Sequence, residues 1–143
     1  MKIVLDTKVF LDYLLSRENA NKVKEILFLC RYGKHQIYTT PIALRDIGYV
    51  IHKITHNKAD SKRAQLAVCE MVNDILPVTG SDASNSLRSE IDDYEDALMV
   101  ECAKREKMDA IITSNIKDFL KADMPIYTLD EANKFILENT KKA

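Results

Sequence analysis

Residues Asp92 to Phe119 read DDYEDALMVECAKREKMDAIITSNIKDF. An acidic turn opens the stretch. Ala97, Leu98, Val100, Cys102 and Ala103 then recur at the spacing of one helix face. Asp93 and Asp96 stand i, i+3 at the start of that helix, so both carboxylates leave from its first turn. Met108 to Ile112 is a short apolar run that reads as a strand, and the polar turn Thr113–Asp118 follows at once. In an open α/β sheet, ligands lie in the crevice beyond the carboxyl ends of the strands. Asn115 and Asp118 therefore fall where a site would form.

The same grammar runs outward through the chain. Lys2–Leu5 is an apolar strand that ends in Asp6, and Asp6-Thr7 can cap a helix carrying Val9, Phe10, Tyr13 and Leu14. After a polar break at Ser16–Asn19, Val23, Ile26, Leu27 and Cys30 mark a second helix, with Gly33 suited to a left-handed position at its end. Ile37–Thr40 is the second strand. Pro41 can start a helix from Ile42 to about His56, and a further helix over Ala59–Asn73 carries Leu66, Val68, Cys69 and Val72. Ile75–Val78 is a short strand, and a polar helix begins at Ser81 and runs toward Glu90. Beyond Phe119, Pro125–Thr128 is a last strand, Asp130–Asn139 a closing helix, and Lys141–Ala143 a frayed tail. Strands alternate with helices and no Asn-Gly or Asp-Gly hairpin signal interrupts them. The fold class is therefore α/β: a three-layer α/β/α arrangement with a central, mostly parallel sheet, expected as a single domain over residues 1–143.

Composition narrows the function. A net charge of −1 gives no global pull toward nucleic acid or membrane, so any nucleic-acid contact needs a local basic patch. Cys30, Cys69 and Cys102 are odd in number, far apart and set in helical patterns, which reads as core thiols in a reducing compartment. No signal-peptide pattern opens the chain and no apolar run approaches the ~20 residues of a membrane span. A cytoplasmic location is expected. The Gly-rich nucleotide loops G-x-G-x-x-G and G-x-x-x-x-G-K-[ST] are absent. His35, His52 and His56 show no useful spacing and read as surface residues.

What remains is acid. Asp6, Asp96 and Asp118 follow or flank strand ends, Asp93 stands beside Asp96, Asp46 lies one turn into the helix after the second strand, and Asn115 is a neutral partner. Two carboxylates about 4 Å apart repel by roughly 4 kcal/mol at an effective dielectric near 20. Several in one crevice need protons, basic partners or a metal. Mg²⁺ and Mn²⁺ suit an all-oxygen site and also bind phosphate. Each residue has a plainer alternative: Asp6 as a helix cap, Asp93 with Asp96 as a capping pair, Asn115 and Asp118 as turn formers, Asp46 as a solvated helix residue.

Three segments carry a family resemblance. MKIVLDTKVFLDYLL resembles the opening of a PIN-domain nuclease, TTPIALRDIGYVIHK its second acidic segment, and DYEDALMVECAKREKMDAIITSNIKDF its third and fourth motifs. The resemblance covers nearly the whole chain and extends to VapC-like toxins. It implies a Mg²⁺- or Mn²⁺-dependent endoribonuclease with an RNA substrate, a small antitoxin protein as partner, and a homodimer. Asp6 matches the first metal-binding acid and Asp96 the central acid of the third motif, with Asp93 as an outer ligand. Asn115 stands where many members place an Asp, and Asp118 is its substitute three residues on. Asp46 falls near the second acid, which is usually the longer Glu. Lys8 replaces an Asn common two residues after the first Asp. Its ammonium can pair with Asp6 or Asp96, or bind RNA phosphate. Lys8, Asp46 and Asn115 together motivate an alternative of a different class: a PIN-like module, weak or inactive in catalysis, that binds RNA or a protein. A receiver-type signalling domain shares the topology but needs an acidic pair after the first strand, where Asp6 stands alone.

Overall fold

Ile3, Val4 and Leu5 have no exposed surface, because β1 (Lys2–Leu5) is flanked on both sides by other strands. The structure, a computed structural model, describes residues 1–141, so Lys142 and Ala143 of the expected tail lie outside it. With β2 (Gln36–Thr39), β3 (Asp74–Ile75), β4 (Ala110–Ile112) and β5 (Ile126–Tyr127), β1 forms a five-stranded sheet in the order β3-β2-β1-β4-β5. Every pairing is parallel, with Ile3 opposite Ile37 on one side and Ala110 on the other, and Leu5 opposite Ile112. The chain builds outward from β1 to β3 and then returns to add β4 and β5 on the other flank. The topological switch point thus lies between β1 and β4, the place where open sheets form their ligand crevices.

Alternation along β1 divides the core. Ile3 and Leu5, with Ile37 and Ile112, face a layer made by α1 (Thr7–Leu14), α2 (Ala20–Tyr32), α3 (Pro41–Thr55), α4 (Lys58–Met71) and α7 (Leu129–Lys141). Phe10, Val23, Ile26, Ile47, Val68 and Ile136 are the buried contributions of these helices. Val4 and Ile111 face the opposite way, onto Ala97, Val100 and Ala103 of α6 (Tyr94–Arg105), and α5 (Gly80–Leu87) packs against α6. The three-layer α/β/α expectation holds, and the sheet is parallel throughout.

Several local expectations are corrected. The third strand is Asp74–Ile75, not Ile75–Val78. Leu76 still donates to Thr39 O at 2.8 Å, but Pro77 has no N–H to extend the ladder. The helix expected from Ser81 toward Glu90 starts at Gly80 and ends at Leu87. Thr79 caps it by accepting from Asp82 N–H at 3.2 Å, while the Asp82 carboxylate accepts from Thr79 N–H at 3.0 Å. Gly33 has φ −81°, and Lys34 takes the left-handed conformation at φ 58°. What Gly33 supplies is room: a Cβ there would lie 2.4 Å from Thr140 Oγ1 on α7. Gly48 does the same between α3 and α4, where Ser61 Oγ donates to Gly48 O at 2.7 Å. Leu66 is exposed and leaves Val68 as the buried residue of α4.

His35 is also not a surface residue. Its Nδ1 lies 3.1 Å from the N-terminal ammonium and its Nε2 2.9 Å from Thr140 Oγ1, which in turn donates to Ile136 O. Burial first, then the ammonium, lowers its pKa. Among the described residues, no helix is long and apolar enough to cross a membrane.

Candidate active site

The last residue of β1 delivers Asp6 to the switch point, and its N–H continues the β1–β4 ladder by donating to Ile112 O at 2.9 Å. Asp6 occupies the N-cap position of α1, yet its carboxylate makes no cap hydrogen bond there. It accepts instead from Thr113 Oγ1, the first side chain beyond β4, at 2.8 Å. Asp6 is 4% exposed, and burial raises its pKa against the lowering effects of Thr113, Lys8 and the Thr7 N–H. Thr113 Oγ1 also accepts from Asn115 N–H at 2.9 Å, so one hydroxyl fixes both Asp6 and the turn that follows β4.

That turn is a 3-10 helix over Ile116–Phe119, anchored by fully buried Phe119, and it presents Asp118 to the crevice. One oxygen of Asp118, Oδ2, accepts from Asn115 Nδ2 at 2.9 Å and from Lys8 Nζ at 3.2 Å. Asn115 therefore positions Asp118, and Lys8 reaches across from α1 to neutralise it. At the start of α6, Asp93 accepts from Asp96 N–H at 3.0 Å, which is the capping role open to it from sequence. Asp96 itself is pushed up to about 7. Burial is the largest cause, followed by the charges of Asp93, Asp6 and Asp118, with Lys8 acting the other way. These four acids share one electrostatic neighbourhood.

Asp46 belongs to a second acidic pair on the α3 side. Arg45 Nη1 lies 3.0 Å from its Oδ1, and its partner across the cleft is Glu95. Glu95 is raised, first by a hydrogen bond with Asp46, then by burial and the charges of Asp46 and Asp93, while Arg45 lowers it. Thr113 and Glu95 were not among the residues singled out from sequence. An acid directly before Asp96 was a usable signal for Glu95. Thr113 needs the β1–β4 pairing to be known.

Asp6, Asp46, Glu95 and Asp96 line one cleft of about 360 Å³, whose remaining wall is largely apolar. A smaller hollow of about 220 Å³ is lined by Asp93, Asp96 and Asp118 together with Lys117 and Lys121. The donor set is made of the hard carboxylate oxygens that Mg²⁺ and Mn²⁺ take, and Asp96, raised first by burial and then by three neighbouring acids, is a group whose charged form such a cation would stabilise. The chemistry of the acids therefore fits a divalent ion. Among the described residues, no three His, Cys, Asp or Glu side chains converge on one point, with Asp118 turned to Lys8 and Asp6 to Thr113.

A family model described as the PIN domain matches residues 2–117. That span runs from β1 into the turn after β4. It contains Asp6, Asp46, Asp93, Asp96 and Asn115 and stops one residue before Asp118. Among solved structures, VapBC2 from Rickettsia felis, bound to a DNA fragment from its promoter, is similar with a TM-score of 0.70 at 17% identity, over 90% of this chain and 98% of that chain. FitAB bound to the IR36 DNA fragment is similar with a TM-score of 0.69 at 18% identity, over 89% and 94%. Identities this low carry the fold alone. A comparison with curated protein sequences finds no match. With the family match spanning four of the five strands, the switch point and all but one of the acids around it, the chain belongs to the PIN-domain family.

Proposed function

We propose that this PIN-domain chain is a Mg²⁺- or Mn²⁺-dependent endoribonuclease that hydrolyses RNA phosphodiesters, and that it is the toxin of a toxin–antitoxin pair. The observation that carries the proposal is the Asp96 carboxyl held up to about 7 beside Asp6, Asp93 and Asp118 at the switch point. Asp6 and Asp96 would hold the cation together with Asp118, and Asp93 would support them from its cap position. When bound, a divalent ion supplies an acidified, oriented water and positive charge for the phosphodiester. The chain's own residues do the positioning. Thr113 fixes the Asp6 carboxylate and Asn115 fixes Asp118, while Asp46 and Glu95 face each other at the cleft wall, where Asp46 raises the Glu95 pKa. RNA cleavage with Mn²⁺ or Mg²⁺ should be seen with the native chain and lost in Asp6→Asn; equal cleavage by both overturns the assignment.

A second reading is favoured by one contact, Lys8 Nζ at 3.2 Å from Asp118 Oδ2, which places a fixed cation among the acids. On that reading the chain is a weak or inactive module that binds RNA or a protein partner. Calorimetric titration with Mn²⁺ separates the two: tight binding that Lys8→Asn does not improve counts against the inactive module. A small antitoxin protein, a homodimeric state and a cytoplasmic location complete the proposal. They rest on the resemblance to VapC-like toxins and on the harm an unrestrained ribonuclease does to its own cell. Light scattering tests the dimer.

A further inference from the structure

Asp96 is a wall of both hollows at the site, and the two are chemically unlike. On the α3 side, beyond the acids Asp6, Asp46 and Glu95, the wall is largely apolar and includes Ile42, Val50, Val78, Met99 and Tyr49. Tyr49 is 60% exposed, and its ring stacks on no other aromatic side chain among the described residues. It follows Asp46 by three positions and Ile42 by seven, so the three share one stripe of α3 that faces the cleft. Arg45 stands at the same rim, held by Asp46. On the far side of Asp96 the wall carries Lys117 and Lys121, neither of which forms an ion pair among the described residues.

A nucleic-acid strand laid over Asp96 has to fill both sides. A nucleobase is a flat, weakly hydrated plate, and the sugar–phosphate chain is a string of charges. We infer that Tyr49 is the nucleobase-stacking residue of this site and that Lys117 and Lys121 hold the phosphate on the opposite side of Asp96. The inference rests on the ribonuclease proposal for its substrate and goes beyond it in orienting that substrate. The cleft, at about 360 Å³, has the size and the apolar lining of a small-ligand pocket. An aromatic face accepts any base, so Tyr49 gives strand preference without strict sequence preference. A base reaches it only after leaving its stack, which an unpaired strand permits and a duplex resists. At 60% exposed Tyr49 is no core residue, and it lines the same cleft as Asp6, Asp46 and Asp96, beside which the cut phosphate would lie.

The test uses Asp96→Asn chain, which should not consume RNA, and a short single-stranded oligonucleotide whose positions are replaced one at a time by abasic nucleotides. Binding is read by fluorescence anisotropy. Tyr49→Ala should weaken binding roughly tenfold, within the range alanine substitution shows for base–aromatic stacking, and Tyr49→Phe should restore it. One abasic position should cost the native Tyr49 chain the same factor and cost the Tyr49→Ala chain nothing more, because the two changes remove the same contact. A duplex of the same sequence should bind both chains equally. The inference is overturned if no abasic position couples to Tyr49, or if the duplex depends on Tyr49 as strongly as the single strand does. A Tyr49→Ala chain that loses an antitoxin-type protein partner while keeping single-strand affinity also overturns it, by making the cleft a protein-docking surface. The Tyr49→Phe chain keeps the ring and should show the same abasic cost as the Tyr49 chain, so the coupling does not rest on the alanine variant alone. Coupling without cleavage by the native chain removes the ribonuclease proposal and leaves the stacking site, whereas cleavage without coupling does the reverse.

Discussion

Two aspartates in this molecule, Asp82 and Asp96, face opposite fates. Asp82, 2% exposed on α5, accepts from Arg105 Nε at 2.9 Å and Nη2 at 3.1 Å and from Thr79 N–H at 3.0 Å. Burial raises its pKa, but Arg105 and Thr79 together outweigh burial and hold the carboxyl below its ordinary value. Asp96 has the same chemistry and the opposite balance. Three other acids act on it, and Lys8, the cation that opposes them, donates its hydrogen bond to Asp118 instead. A structural acid comes with its partners built in. An acid whose partners are more acids is unfinished until something arrives from solution, and that difference locates function without any ligand in view.

The comparison breaks first at Asp96. Asp96→Asn should abolish metal-dependent RNA cleavage, a loss beyond the roughly 100-fold that outer partners of a metal site command. It should not destabilise the chain. In chelator, the folded-state pKa of about 7 lies above the unfolded value of 3.8, so the folded state binds the extra proton between them. That contribution to stability is full below pH 3.8 and is lost as pH rises through 7. Thermal melts in chelator should therefore show the native chain losing stability from pH 5 to pH 8, with the slope reduced in Asp96→Asn. Added Mn²⁺ should restore the native chain at pH 8 and leave the variant unmoved. Equal Mn²⁺ shifts in both proteins would remove Asp96 from the metal site.

Asp82 supplies the opposite control. Asp82→Ala removes a cap and strands a guanidinium, and should cost about 2 kcal/mol in urea unfolding at pH 7 while leaving metal binding intact. The sign in acid is also reversed. Because the folded-state pKa is depressed, this stability is present above pH 3.8 and is lost as pH falls further, so the two proteins should converge toward pH 2. A cost that stays constant into strong acid would mean that packing, and not the ion pair, makes Asp82 matter.

Much of this contrast was legible in the amino-acid order, and what was not has definite causes. Asp6, Asp96 and Asp118 stand out because periodicity locates strand ends, and strand ends locate crevices. That β1 pairs with β4, which lets Thr113 hold Asp6, depends on strand order, and strand order is set by how distant segments pack. Glu95 was hidden by its neighbours, since an acid in the first turn of a helix is ordinarily explained by the helix dipole. Asp46 can be read from sequence either as a rim acid facing the metal or as a solvated helix residue, and in the structure it lines the cleft with Glu95 and pairs with Arg45. Gly33 looked like a turn former because the nearby sequence says so. Its actual task, clearing Thr140, is imposed by a helix more than a hundred positions away. His35 was misjudged for the same reason, since the partners that bury it are the chain's first residue and its last helix.

Lys8 gives the smallest effect and the sharpest reading of the contrast. Among the described residues it is the cation that pairs with Asp118, and it is 48% exposed, so its bond to Asp118 is a surface ion pair worth at most about 1 kcal/mol. Burial and then the charges of Asp93, Asp6 and Asp118 outweigh Lys8, so Asp96 remains raised with Lys8 in place. A divalent ion that engages Asp118 must take it from Lys8, so the ammonium acts as a weak competitor for the site. Lys8→Asn should then tighten Mn²⁺ binding by no more than about fivefold in calorimetry, the factor that 1 kcal/mol corresponds to. Cleavage at saturating Mn²⁺ should be unchanged, because the competitor is already displaced. A much larger gain would place Lys8 on the metal position itself and favour the inactive module. A loss of cleavage at saturation would make the ammonium a phosphate contact instead, and the unfinished state of the acids would then be completed by substrate as well as by metal.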